Sequence, residues 1–163
     1  MGNILCTGDL PNRPKSRAEL DKWIAEYCEG NLTRGEPNDW NITLVTDMSK
    51  LFFDNKTFNS PLDKWDMRKV TTIGNMFAGA EKFNQPIGNW NTENVTSMGS
   101  TFNGAVSFNQ SLENWNTKKC TFMGAMFADS TFNQPLAHFD LSNVNSTVCM
   151  VLGNTRFNQP IGS

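Results

Sequence analysis

The chain has 163 residues, of which 14 are Lys or Arg and 16 are Asp or Glu, so its formal net charge is −2. The charges are scattered without a basic run, which excludes the usual surface of a nucleic-acid-binding protein. No run of about 18 apolar residues occurs, so the sequence predicts no transmembrane helix. Twelve Phe and five Trp against a single Tyr predict aromatic rings buried in an apolar core.

The cysteines are spread along the chain and form no CxxC pair. Disulfide frameworks and zinc sites need closer spacing, so free thiols are expected. The N-terminus lacks a secretory signal, and the sequence therefore favours an intracellular location or a place in a larger assembly, with a cell or particle surface as the alternative. The four cysteines are Cys6, Cys28, Cys120 and Cys149.

Residues 1–15 are expected to form a flexible leader, in which Pro11 and Pro14 favour extended backbone. The opening MGNILCT resembles an N-myristoylation signal, since Gly2 follows the initiating Met and Cys6 could carry a second acyl chain. Cys6 stands where such signals usually have Ser or Thr. One myristoyl chain holds a membrane weakly, so attachment would need both lipids. An unmodified leader is the alternative.

Residues 16–38 are predicted to form an N-terminal helical cap. The helix covers SRAELDKWIAEYCE, where Ser16 and Glu19 form a capping box and Gly30 ends the helix. We expect its apolar face to cover the first unit of the repeat that follows, because the end of a repeat array otherwise exposes its core. Partner binding by this face is the alternative. The face consists of Leu20, Trp23, Ile24, Tyr27 and Cys28.

Residues 39–163 contain five related units of about 25 residues. This period marks a repeat array and falls in the size class of leucine-rich repeats. The sequence therefore predicts a leucine-rich-repeat-like solenoid, with short parallel β-strands near residues 87–92 and their equivalents. Helical or 3-10 turns are expected near residues 95–102. The units begin at Trp40, Trp65, Trp90, Trp115 and Phe139, which are predicted to stack in the core.

A second motif, Phe-Asn, recurs in every unit. The Phe is predicted to fill a core position, and the Asn to bond backbone groups of a neighbouring unit, forming a polar ladder. A structural role explains a repeated amide better than catalysis or metal binding does. The core positions are Phe58, Phe83, Phe108, Phe132 and Phe157, and the ladder positions are Asn59, Asn84, Asn109, Asn133 and Asn158.

The pattern W-[ND]-[TM]-x-x-V-T-x-M-x-x-M-F, followed by F-N-Q-P-[IL], resembles the BspA-like leucine-rich repeat family over residues 39–161. The resemblance implies a non-enzymatic solenoid used in attachment or protein–protein contact, and it implies no reaction or ligand. The fifth unit departs from the pattern at Phe139, Thr147 and Val151.

Nothing in the sequence predicts an enzyme. The single histidine, His138, is expected to be a solvated surface residue, and no catalytic, cofactor-binding or metal-binding residue is assigned. The main hypothesis is a non-enzymatic protein–protein interaction or structural solenoid, with an unidentified protein partner and an N-terminus open to acylation and membrane association. End-on self-association through the last unit is a further expectation.

Two other functions stay open at this point. A surface-attachment (adhesin-like) module is the principal alternative. Binding to an ordered surface such as ice or a glycan is a more distant one, and it would use a column of threonines. That column comprises Thr46, Thr71, Thr96 and Thr121.

Overall fold

The structure, a computed structural model, describes residues 12–162. It contains one α-helix, α1 (Arg17–Cys28), and one 3-10 helix (Pro37–Asp39). Helix α1 lies where the sequence predicts it, and it begins with a side-chain cap, the Glu19 N–H donating to Ser16 Oγ at 3.2 Å. Its buried residues are Leu20, Trp23 and Ile24.

The predicted leucine-rich-repeat-like solenoid with short parallel β-strands is wrong. In the described residues 12–162, the β pairing between neighbouring units is limited to isolated parallel bridges, and no strand forms. Residues 87–92 make a turn instead of a strand, with the Trp90 N–H donating to Ile87 O at 3.2 Å. The predicted helical turns near residues 95–102 are bends and turns outside any helix. One row of bridges joins Asp47, Thr72, Ser97, Phe122 and Ser146, and another bridge joins Leu136 to Ile161.

Left-handed backbone explains why no strand forms. We call residues 47–54, 72–79, 97–104, 122–129 and 146–153 the ladder segments. Each contains two residues with positive φ, for example Lys50 (59°) and Asp54 (54°) in the first segment, and this conformation interrupts an extended strand. In the next three segments Asn75, Ser100 and Ala125 occupy the position of Lys50. Because residues other than glycine occupy this position, no repeated glycine in the sequence indicates its positive φ.

The ladder segments are joined by four continuous chains of backbone hydrogen bonds. In one chain the Met48 N–H donates to Thr72 O, and the peptide N–H that follows, that of Ile73, donates to Ser97 O. The same link repeats at each of the four junctions between units, with N···O distances of 2.7–3.1 Å. The aligned peptide groups therefore all point their N–H groups toward the last unit.

Beside the ladder segments, one backbone hydrogen bond at each junction runs in the opposite direction. The Thr71 N–H donates to Thr46 O at 2.8 Å, and the equivalent bonds link Thr96 to Thr71, Thr121 to Thr96 and Asn145 to Thr121. Four bonds against one leave a net alignment of peptide dipoles along the stack, as in an α-helix.

Aromatic rings stack in columns behind the ladder segments. Trp65, Trp90 and Trp115 lie parallel within 10°, with centroids 6.2–6.5 Å apart. Trp40 instead contacts Trp23 of α1 edge-on at 5.5 Å. Two phenylalanine columns interleave at centroid distances of 3.9–4.1 Å. One column comprises Phe52, Phe77, Phe102 and Phe127, and the other comprises Phe58, Phe83, Phe108, Phe132 and Phe157.

The Phe-Asn amides form a column of their own. Each Asn side-chain oxygen accepts the backbone N–H of the equivalent Asn in the next unit, at 2.8–3.0 Å. Gln85 and Gln110 add bonds to the main-chain oxygen of the Asn in the preceding unit, at 2.8 and 3.1 Å. The amides therefore satisfy irregular backbone between units. The column runs through Asn59, Asn84, Asn109, Asn133 and Asn158.

His138 is exposed, as expected, but it makes a hydrogen bond that the sequence analysis misses. In the second to fourth units the Trp indole N–H donates to the main-chain oxygen 28 residues earlier, as Trp115 does to Ile87 O at 3.0 Å. Phe139 has no such donor. His138 Nε2 lies 2.9 Å from Leu112 O, the equivalent carbonyl, and must carry the proton because a carbonyl oxygen only accepts. His138 therefore replaces the missing indole N–H.

The His138 bond can be tested by substitution and rescue. His138→Ala should lower the free energy of unfolding by about 1 kcal/mol, because Leu112 O loses its donor. Adding Phe139→Trp in that background should recover most of the loss through the indole N–H. Urea unfolding followed by tryptophan fluorescence and circular dichroism measures both variants. Equal stability of His138→Ala with and without Phe139→Trp would contradict the role given to His138.

The ring of Phe122 lies over Gly99, and this contact gives a second prediction. A Cβ atom added to Gly99 would lie 2.2 Å from a carbon of the Phe122 ring, whereas one added to the equivalent Gly74 meets nothing closer than 3.7 Å. Gly99→Ala should therefore lower the free energy of unfolding by about 1–3 kcal/mol through overpacking, and Gly74→Ala should lower it clearly less. Combining Gly99→Ala with Phe122→Ser should remove most of the cost in a double-mutant cycle measured by thermal unfolding. Additive effects would show that Phe122 does not restrict this position.

Candidate interaction site

The described residues offer no metal-binding cluster. No group of three His, Cys, Asp or Glu side chains within residues 12–162 could hold a metal ion. No helix in this part of the chain is long and apolar enough to cross a membrane. Cys28 and Cys149 are exposed thiols, whereas Cys120 is buried, and its burial raises the pKa of the thiol. Gly2 and Cys6, the predicted acylation positions, lie outside the described residues.

The threonine column is exposed, but the hydroxyl groups of three of its four members already have partners. Thr71 Oγ1 donates to Thr46 O at 3.3 Å, and the equivalent bonds from Thr96 and Thr121 measure 3.1 Å. The hydroxyl protons are therefore committed to the stack. This arrangement gives the ice-binding and glycan-binding hypothesis no support.

The first unit forms what we call the acceptor end, because its ladder-segment carbonyl oxygens point away from the stack. Helix α1 covers two of them. The Arg17 guanidinium donates to Asp47 O at 2.9 Å and to Ser49 O at 2.6 Å. These oxygens are the equivalents of Thr72 O and Gly74 O in the second unit, which accept backbone N–H groups of the first unit. One side chain thus replaces two donors of a missing unit, and its positive charge faces the carbonyl end of the aligned dipoles.

Aromatic contacts fix α1 in this position. Trp23 and Tyr27 meet Trp40 edge-on at centroid distances of 5.5 and 6.2 Å. The Tyr27 hydroxyl bonds Glu36 and also Ser60 of the neighbouring segment. The acceptor end is therefore closed by both apolar and polar contacts.

The fifth unit forms the opposite end, which we call the donor end. Its ladder segment receives bonds from the fourth unit through the carbonyl oxygens of residues 146, 148, 150 and 152. The N–H groups that follow these carbonyls are the equivalents of donors in every earlier unit. Within residues 12–162 none of the four donates to any acceptor. They belong to Thr147, Cys149, Val151 and Gly153.

Apolar side chains lie beside these four donors. Val148 is 70% exposed and Leu152 is 64% exposed, the highest values among the large apolar residues described. Next to them is an open pocket of about 650 Å³, lined in part by Leu141, Met150 and Ile161. Exposed apolar patches bordered by polar groups are typical of binding sites. The donor end is therefore the candidate site.

The sequence analysis found one signal for this site and missed the rest. It noted that Thr147 and Val151 depart from the repeat pattern, and both contribute free N–H groups at the donor end. Thr147 is exposed where the other units bury Met48, Ile73, Met98 and Met123. The sequence analysis expected end-on association through the last unit, but it did not predict the four backbone donors, because the direction of the backbone bonds cannot be read from side-chain identities.

The role of Arg17 is tested at the acceptor end. Arg17→Ala should lower the free energy of unfolding by about 1.5–3 kcal/mol, because two carbonyl oxygens lose a charged donor. Arg17→Lys should retain part of the stabilisation that Arg17 provides, since an ammonium group cannot span both oxygens as a guanidinium does. Arg68→Ala is the matched control: that side chain is 69% exposed and forms an ion pair with Asp66 within residues 12–162, so its loss should cost clearly less than the loss of Arg17. Equal losses for Arg17→Ala and Arg68→Ala would overturn the assignment.

Comparison with known proteins gives one family. Residues 24–131 and 87–163 match the family described as "Mycoplasma protein of unknown function, DUF285", and the two matches together cover residues 24–163. No curated protein and no solved structure shows significant similarity to the chain. Because the matched region exceeds half of the sequence, the chain belongs to the DUF285 family of mycoplasma-type proteins.

Proposed function

We propose that this chain is a non-enzymatic protein-interaction module that binds its partner through the donor end. The observation that carries the proposal is the chemical difference between the two ends. Arg17 and α1 cover the acceptor end, whereas four backbone N–H groups and the exposed side chains of Val148 and Leu152 lie uncovered at the donor end.

The donor end has the composition of a protein-binding surface. Its centre is apolar, with Leu141, Met150 and Ile161 lining the pocket, and its polar groups are main-chain donors. The ladder segment of the fifth unit, residues 146–153, carries no charged side chain. Interface centres are likewise depleted of charge and enriched in apolar residues, so the composition favours a polypeptide over a charged small molecule.

A surface-attachment function is the second candidate. The resemblance of the repeat to BspA-like proteins supports it, and so does membership of a mycoplasma family. This function would use the same end, because the sides of the stack carry the bonded threonine and asparagine columns. Acylation at Gly2 and Cys6 stays a prediction that would place the module on a membrane.

Site-specific photocrosslinking tests the proposed function. A photoreactive amino acid at position 152 should capture a protein partner in the native host, because Leu152 is 64% exposed beside the free donors. The same amino acid at position 53 is the matched control, since Phe53 is the equivalent residue at the acceptor end and is 48% exposed. Mass spectrometry identifies the captured protein in each case.

Competition gives the decisive comparison. Excess unlabelled chain should abolish the crosslink at position 152, and the Leu152→Glu chain should compete at least tenfold less well, because a carboxylate would be buried in an apolar interface. A Phe53→Glu chain should compete normally. Crosslinks that are equally abundant at positions 53 and 152, or competition that is unaffected by Leu152→Glu, would refute the use of the donor end.

A further inference from the structure

We infer that the donor end receives a ladder-like peptide segment of a second polypeptide, which pairs its backbone carbonyl oxygens with the four free N–H groups. This inference rests on the proposed function and names the chemistry of the partner. The partner segment adopts the conformation of residues 97–104, which cover the donors of the preceding unit inside the stack.

The spacing of the donors defines the partner's backbone. The free N–H groups belong to alternate residues, from Thr147 to Gly153. At all four junctions inside the stack, an identical row donates to carbonyl oxygens on alternate residues of the next segment. The accepting segments carry positive φ at two positions, for example Ser100 (54°) and Gly104 (67°). A partner segment therefore needs positive φ at two positions four residues apart, which residues without a branched Cβ adopt at lower cost than β-branched ones.

The apolar surroundings exclude a free anion as the main occupant. Aligned N–H groups attract carboxylate or phosphate groups, and such an ion could bond one or two of the donors. It would leave Val148 and Leu152 in water, at 70% and 64% exposure. A peptide segment with apolar residues beside its carbonyl row would bond all four donors and also cover these side chains, which adds hydrophobic stabilisation.

A second copy of this chain does not fit the donor end. In a copy, the carbonyl oxygens of Asp47 and Ser49 already accept from Arg17, so a row of four donors cannot pair with the whole carbonyl row. Two donor ends facing each other would bring N–H groups against N–H groups, with no acceptor between them. Symmetric end-on self-association would therefore bury unpaired donors, which is costly. The partner is a different polypeptide with an uncovered carbonyl row.

The test uses the full chain and a blocked decapeptide, acetyl-VTSMGSTFNG-amide, a copy of residues 95–104. Two-dimensional ¹⁵N–¹H NMR follows the backbone amides of the labelled chain during titration. The expected result is a saturable shift of the amides of residues 147, 149, 151 and 153, with no change at residues 48, 50, 52 and 54. Joining the peptide to the C-terminus through a flexible Gly-Ser linker should raise its effective concentration to about millimolar and slow hydrogen exchange at the same four amides.

Two matched controls accompany the titration. A peptide with Val at the positions of Ser100 and Gly104 should bind at least tenfold more weakly, because β-branched residues resist positive φ. A Leu152→Glu chain should lose the shifts, whereas a Phe53→Glu chain should keep them. The native fold of each variant is checked by the unchanged amides of residues 73–79 in the second unit, far from both substitutions in the sequence.

Three outcomes would overturn the inference. Acetate or phosphate producing the same saturable shifts as the peptide would make the donor end an anion site. Concentration-dependent changes of the four amides in the chain alone, with a dimer in analytical ultracentrifugation, would make the occupant a second copy. No shift and no slowed exchange, even with the tethered peptide, would reject the segment. In this last case a partner crosslinked from position 152 would still uphold the proposed function.

Discussion

The hydrogen-bond chains between ladder segments are the interaction on which the rest of the structure depends. Each peptide group in a chain accepts from the preceding unit and donates to the following one, with N···O distances of 2.7–3.1 Å. Such chains polarise one another and strengthen in a buried environment. They also set the distance between equivalent residues, so that rings such as Phe77 and Phe102 lie parallel within 5° at 5.7 Å. Ring stacking and the amide column follow from this spacing.

Because the chains have a direction, the two ends of the stack cannot be alike. An α-helix has the same asymmetry, with free N–H groups at one end and free carbonyl oxygens at the other. Helices satisfy these groups with side-chain caps and charges of suitable sign. Arg17 provides the equivalent cap at the acceptor end, through two bonds to Asp47 O and Ser49 O. Helix α1 is therefore more than an apolar cover, since it supplies the donors that a preceding unit would have supplied.

The sequence predicted the features that depend on side-chain identity. The capping box placed the start of α1, and the period of 25 residues placed the units and the core rings, since burial selects apolar residues at fixed positions. The strands were predicted wrongly because Val, Thr and Ile near each tryptophan favour extended backbone. In the structure, residues with left-handed backbone prevent strand formation. Three of them, Ser100, Ala125 and Cys149, are residue types that rarely adopt positive φ, so the sequence does not indicate them. Of the site, only the departures at Thr147 and Val151 could be predicted, because backbone polarity carries no side-chain signature.

The composition of the fifth unit differs from that expected of a sealed end. Sealing the donor end would require acceptors, such as the carboxylates that stabilise helix N-termini. Its ladder segment reads STVCMVLG and contains no charged residue, whereas the first segment, DMSKLFFD, contains two aspartates and a lysine. His138 shows that this unit can recruit a polar side chain where the stack needs one, since it supplies the donor that Phe139 lacks. The unit therefore keeps its contacts with the fourth unit while its outward side combines free donors with Val148 and Leu152. Among residues 12–162 no acceptor meets these N–H groups, and a carbonyl-bearing chain would cover both features together, which is the physical basis for proposing recognition at this end.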